Sequence, residues 1–175
     1  MGEIPTLMDV TASDDAFILE LYVSVRADEV AGFGWPREET ERFLRMQCQL
    51  QLQAYRMQFP GARHQLVLYR NARAGRMITT RGEGAWSLID LSLLPEYRNL
   101  GLGGRLIREL QVEAAAAGCG IRLHVLEGNR ARNLYERLGF RFAGGAYPYS
   151  AMEWTPSADR ALSSEWSAVG NAVAG

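Results

Sequence analysis

Three of the four residues from Gly101 to Gly104 are glycine, and they stand where an apolar strand gives way to an amphipathic helix. Upstream, Trp86 to Leu94 is mostly apolar and bounded by Pro95, the pattern of a buried central strand. Downstream, Leu106, Ile107, Leu110, Ala114 and Ala117 form a single apolar stripe at helical spacing. Glycines at a helix N-terminus let backbone approach a ligand and leave several N–H groups pointing outward. Those donors, with the positive end of the helix dipole, suit an anion, above all a phosphate. A glycine-rich turn that binds nothing would look the same in isolation, so the flanking residues have to decide.

Two nucleotide loops are excluded. A P-loop ends in Gly-Lys-Ser/Thr, whereas Gly103-Gly104 runs into Arg105-Leu106. A dinucleotide fingerprint starting at Gly101 and Gly103 would need its third glycine at Leu106, and Ile121 to Val125 offers no acidic residue for a ribose.

The segment Arg98-x-x-Gly101-x-Gly103 resembles the Gln/Arg-x-x-Gly-x-Gly/Ala loop of the Gcn5-related N-acetyltransferases. Ile89 to Arg98 is similar to that family's fourth strand and approach to the loop. Further on, Leu123-His124-Val125, Asn129 and Leu134-Tyr135-Glu136-Arg137-Leu138-Gly139-Phe140 resemble its second signature, in the same order. The resemblance implies an α/β (α+β) fold: a mixed, mostly antiparallel central sheet, splayed between strands 4 and 5 and flanked by helices. It also implies acetyl-CoA as donor and an amine as acceptor. The pyrophosphate would sit on the N–H groups of Asn99, Leu100, Gly101, Leu102, Gly103 and Gly104, with Arg98 and Arg105 adding charge. The backbone at Leu91 and Leu93 would hold the pantetheine arm, and Tyr135 would be the general acid. Asn129 would contact the cofactor, although it stands one residue closer to Tyr135 than the family's asparagine does.

The general base stays open at this point. Ser87 occupies the place near which some family members carry a glutamate on the fourth strand, and a serine cannot do that work. Asp90 and Glu83 are the nearest carboxylates, and His124, with an unperturbed pKa of about 6.5, is the other candidate. Asp90 reads equally well as a structural hydrogen-bonding residue and Glu83 as a solvated turn residue. Tyr22, Arg26, Glu29, Phe33 and Trp35, with Tyr147 and Tyr149, would rim the acceptor side. The acceptor itself is not named by the sequence. Two functions follow: an active acetyltransferase, or a module that binds acyl-CoA without turnover.

Composition bounds the partners. With 175 residues, 47% apolar and 22% charged, the chain is long enough for one domain with a real core, expected over residues 1–155. A net charge of −1 without basic runs gives no reason to expect nucleic acid or an anionic membrane as partner. No apolar run reaches a membrane span and MGEIPTLMDV lacks the blocks of a signal peptide, so a cytoplasmic protein, monomer or homodimer, is expected. Cys48 and Cys119 read as free thiols, and His64 and His124 form no metal-ligand cluster with them, so no metal is expected.

Along the chain, Ile4 to Val10 reads as a strand and Thr11 to Asp14 as a capping box for a helix ending near Asp28. Glu38 to Phe59 reads as a second helix, with Phe43, Met46, Leu50 and Met57 at helical spacing. His64 to Arg70, Ala74 to Thr80 and Ala85 to Leu94 form an antiparallel meander. Ile121 to Leu126, a short helix over Arg130 to Leu138, and strands at Phe140 to Gly144 and Pro148 to Trp154 complete the order. The Ser/Ala/Gly-rich tail, residues 156–175, is expected to be weakly ordered.

Overall fold

The structure, a computed structural model, describes residues 3–156; the tail from 157 onward lies outside the described residues. Among the described residues, a seven-stranded sheet in the order β1-β2-β3-β4-β5-β7-β6 carries four α-helices. Strands β1 (Thr6–Asp9), β2 (Arg63–Tyr69), β3 (Ala72–Arg81) and β4 (Ala85–Leu93) pair antiparallel in succession. Strand β5 (Gly120–Leu126) lies parallel to β4, while β7 (Tyr149–Trp154) and the short β6 (Arg141–Phe142) close the far edge antiparallel. Helices α1 (Asp15–Ala31) and α2 (Arg37–Gln58) precede the meander; α3 (Leu102–Ala116) connects β4 to β5, and α4 (Ala131–Arg137) follows β5.

Each face of the sheet has its own core. The α3 stripe, Leu102, Leu106, Ile107, Leu110 and Ala114, packs against Val67, Met77, Trp86, Leu88, Ile121, Leu123 and Val125. Each fully buried aliphatic side chain of this kind contributes roughly 1.5–3 kcal/mol, which makes this layer the larger anchor of the fold. On the opposite face, Phe17 and Leu21 of α1 cover Leu66 and Leu94, and Tyr55 of α2 covers Ile78 and Ile89. Between α1 and α2 themselves, Ile18, Tyr22, Val30, Leu44 and Cys48 form a third seam.

The element order agrees with the sequence reading, and the differences have local causes. Helix α1 runs on to Ala31 before Gly32 ends it, three residues past the expected stop at Asp28. Strand β1 is shorter than Ile4 to Val10 and is exposed throughout, as an edge strand can be. Helix α2 forms where predicted but buries Leu44, Cys48 and Tyr55, whereas Met46, Leu50 and Met57 face outward. Both stripes have helical spacing, and only the position of α1 and the sheet decides which one is covered.

One irregularity in the sheet sets the walls of the site. The β3–β4 register passes from Ile78↔Asp90 to Thr79↔Leu88, leaving Ile89 as an unpaired bulge residue in β4. The extra residue resets the alternation of side chains. Leu88 and then Leu91 and Leu93 pack on the α3 core, while Asp90 and Ser92 are left to the α1–α2 side.

Candidate active site

Strands β4 and β5 pair only from Ala85↔Gly120 to Leu88↔Leu123, and no register pair follows. Beyond that point Asp90 to Leu93 and His124 to Leu126 form the two sides of an opening, with bare backbone along the β4 edge. A chain bearing amides can bond to such an edge as an added strand would.

The glycine loop lies at the open end. After a turn at Pro95–Tyr97, Asn99 (φ 60°) and Gly101 (φ 78°) both take left-handed backbone, and Gly101 caps α3. Glycine adopts that conformation freely, and a β-carbon at Gly101 would add strain of about 1–3 kcal/mol. The first helical bond of α3 is Arg105 N–H to the Gly101 carbonyl, at 3.1 Å. The N–H groups from Asn99 to Gly104 have no partner among the described residues. They cluster at the positive end of α3, so the loop fits a pyrophosphate in both charge and donor geometry.

The loop touches the other signature elements. A β-carbon at Gly103 would lie 3.6 Å from Leu134 of α4 and 3.8 Å from Leu91 of β4, so loop, strand and α4 converge. Arg98 donates its Nε proton to the Leu93 carbonyl at 2.9 Å, bracing the end of β4. Arg105 donates to the Glu3 carbonyl at 3.1 Å, at the rim of the same end. Asn129 is committed in part to the turn that enters α4: its Oδ1 accepts the Ala131 N–H at 2.9 Å.

Tyr135 sits on α4 in the α3-side core, 4% exposed, its ring tilted against Phe140 at 5.8 Å. Burial pushes its hydroxyl pKa well up, and the negative charge of Asp90 adds to the shift. The phenol therefore stays protonated at neutral pH, ready to act as a donor. His124 projects from β5 on the face opposite Leu123 and Val125, at the first position past the last β4 pair. Its ring is half-buried, and burial, then the charge of Arg122, hold its pKa below the ordinary histidine value.

Asp90 is held differently. Its Oδ2 accepts from Arg76 Nε at 2.8 Å and Nη2 at 2.6 Å, and its Oδ1 accepts from the Ser92 hydroxyl at 2.9 Å. Arg76 also reaches Gln51 Oε1 at 3.4 Å. Arg76 is 3% exposed and Asp90 2%, so the pair is desolvated on both sides. Arg76 Nη1 is the buried side-chain nitrogen with no hydrogen-bond partner among the described residues. Such an orphaned donor costs about 1–3 kcal/mol, and more where it carries charge.

Of the expected rim residues, Tyr22 and Arg26 lie beside this pair. Arg26 stacks over Tyr22 at 5.2 Å and bonds Glu29 at 3.1 Å. Phe33 packs instead on Trp35, and Trp35 in turn on Phe43; Trp35 lines a depression at the α1–α2 turn, and Tyr147 is 91% exposed. Sequence reasoning missed Arg76, Gln51 and Ser92. A usable signal was present: an arginine inside apolar β3 and an aspartate inside apolar β4, on strands read as an antiparallel meander. Among the described residues no group of His, Cys, Asp and Glu is placed to hold a metal ion, and no helix is long and apolar enough to cross a membrane.

A mixed sheet with a parted parallel pair, and a phosphate-ready helix start at the parting, defines the class of acyl-CoA N-acyltransferase folds. Residues 61–142, from the approach to β2 through β6, match the model of the acetyltransferase (GNAT) domain. No curated protein matches the chain. Among solved structures, the PaiA N-acetyltransferase of Thermoplasma acidophilum, in complex with coenzyme A, superposes with a TM-score of 0.66 at 19% identity, covering 88% of this chain and all (100%) of that one. A structure described as histone acetyltransferase HPA2 and related acetyltransferase, from Corynebacterium glutamicum, gives 0.64 at 19% identity, covering 89% of this chain and 98% of that one. RimL, a ribosomal L7/L12 alpha-N-protein acetyltransferase, gives 0.63 at 16% identity over 87% of this chain and 91% of that one. At these identities the likeness is one of fold.

Proposed function

We propose that the protein transfers an acetyl group from acetyl-CoA to a primary amine by direct attack. The observation that carries this reading is the parting of β4 from β5 beyond Leu88↔Leu123, beside the unpartnered N–H groups of Asn99 to Gly104. Phosphates at the α3 N-terminus and an amide-bearing arm along Leu91 and Leu93 would bring a thioester into the opening. Oriented backbone N–H there can stabilise the oxyanion as the amine attacks.

Two proton movements complete the reaction. An alkylamine, with a pKa of about 10.4, has to reach the thioester as its free base and then lose a proton. His124 suits the removal of that proton, because its depressed pKa keeps the imidazole neutral near pH 7 and no hydrogen bond ties its ring among the described residues. Asp90, with both oxygens engaged, serves better as the positioning partner of Arg76. Tyr135, held protonated on the other side of the parting, would return a proton to the departing thiolate. The site fits a cytoplasmic enzyme, where acetyl-CoA and free thiols coexist.

The test is release of CoA thiol when acetyl-CoA meets a panel of amines. Turnover with any member supports the acetyltransferase. A rise in melting temperature with acetyl-CoA but no thiol release with the whole panel would instead leave a binding module.

A further inference from the structure

A cavity of about 20 Å³ opens between α1, α2 and the end of β4, lined in part by Tyr22, Arg26, Gln51, Arg76, Asp90 and Ser92. Its volume is that of one water or one oxygen-bearing group. Into this space the fold brings Arg76, whose Nη1 is buried and unpartnered although Nε and Nη2 are fully used. The lining carries two cations, Arg26 and Arg76, against one anion, Asp90, so it has a positive charge in excess. Glu29 offsets Arg26 only from outside, where its own side chain is 57% exposed. Asp90 and Ser92 bracket Leu91, whose backbone borders the β4–β5 parting, so the cavity lies immediately beside the proposed reaction centre.

We infer that Arg76 Nη1 anchors a carboxylate of the acceptor, and that the protein's substrates are amines carrying a carboxylate a short distance from the reacting nitrogen. The inference rests on the acetyltransferase reading and narrows its acceptor class. The chemistry is specific. A planar guanidinium fixed on two sides by Asp90 and Gln51 presents one remaining N–H edge, and a carboxylate oxygen is its strongest partner. The Asp90 pair holds that edge rigid, so little ordering is left for the substrate to drive. A cationic group is repelled by the same lining, and an apolar group would leave the donor unsatisfied.

The experiment compares glycine, β-alanine and 4-aminobutyrate with their carboxamides, acetyl-CoA being saturating, by kcat/KM. The best amino acid should exceed its carboxamide by about 10- to 100-fold, the value of one charge-assisted hydrogen bond. Arg76→Lys keeps a cation for Asp90 and removes Nη1, and should bring that ratio near one. Val25→Leu, which adds a methylene at the cavity wall and leaves the ion pair intact, should lower the ratio likewise and serves if Arg76→Lys does not fold. A ratio near one in the parent overturns the inference without any variant and leaves a bridging water as the occupant. Retention of the ratio in both variants overturns it too. If no amine is acetylated, calorimetric titration of the same amino acids and carboxamides into the CoA-loaded protein reads the anchor directly. Equal or absent binding of the two sets then overturns it, whereas selective binding upholds the anchor and removes only the acetyltransferase reading.

Discussion

On the α3 side of the sheet, the β4–β5 opening is walled by aliphatic side chains, glycines and unpartnered backbone N–H groups; on the α1–α2 side it is walled by a buried ion pair, hydroxyls and a histidine. The first wall suits a ligand that brings its own charges and amides, and it asks little of side-chain identity. The second is made almost wholly of side chains, each of whose settings depends on its neighbours. A donor common to many enzymes can be held by backbone geometry; an acceptor has to be chosen by side chains. Asp90 connects the two, since it holds Arg76 on one side and its charge is felt by Tyr135 on the other.

The contrast between the walls can be broken most sharply at Asp90. Asp90→Ala leaves Arg76 charged and buried without a counter-ion, and should cost about 3–5 kcal/mol in urea unfolding. Adding Arg76→Met to that variant should restore much of the loss. Equal stability of the single variant and the parent would show the pair to be solvated and the second wall to be no more exacting than the first.

Next in size is the proposed acid on the donor side. Tyr135→Phe keeps the ring against Phe140 and removes only the proton, so kcat should fall by roughly 10²-fold or more. Affinity for acetyl-CoA should hardly change, because a hydrogen bond to sulfur is weak in the ground state. Turnover at the parent rate would reduce Tyr135 to a packing residue.

Gly103→Val tests the backbone wall itself. Its branches would press toward Leu134 and Leu91, which already lie at contact distance of a β-carbon. The thermal stabilisation by acetyl-CoA, about 2.7 kcal/mol at 100-fold excess over Kd for the parent, should vanish while the protein stays folded. An undiminished shift would put the phosphates elsewhere.

A smaller effect should appear with pH. His64 and His124 both lie on the side-chain-rich face or at its edge, and burial holds both pKa values below the unfolded value. The unfolded chain therefore binds more protons just below pH of about 6.5, so stability is full above that value and is lost as pH falls through the folded-state values. His124→Gln and His64→Gln should each flatten that slope in denaturant titrations at pH 7 and pH 5. The smallest change is expected from the thiols, one in each region: Cys48 in the α1–α2 seam and Cys119 under α3. Replacing both with alanine should keep turnover within a few-fold, and an acetyl group trapped on either sulfur in a single turnover would overturn direct transfer.

The strand–glycine–helix junction, the order of elements and the α4 tyrosine were legible from residues alone, because each is written in a contiguous stretch whose local physics is self-contained. Glycines that start a helix next to a buried strand expose N–H groups whatever the remainder of the chain does. The buried stripe of α2 was not legible, since Leu44, Cys48 and Tyr55 have the same periodicity as Met46, Leu50 and Met57. Nor was the Ile89 bulge, which depends on where β3 registers against β4 and which turns Asp90 and Ser92 away from the Leu91 face. The Arg76–Asp90–Gln51 cluster needed three elements distant in sequence, and its unpartnered Nη1 has meaning only once burial is known. The sequence by itself determined the strand–glycine–helix junction proposed to hold the donor, because the N–H groups and dipole of a helix start follow from local geometry. The tertiary structure decided the acceptor side, because the energy of a charge depends on which groups, and how little water, surround it.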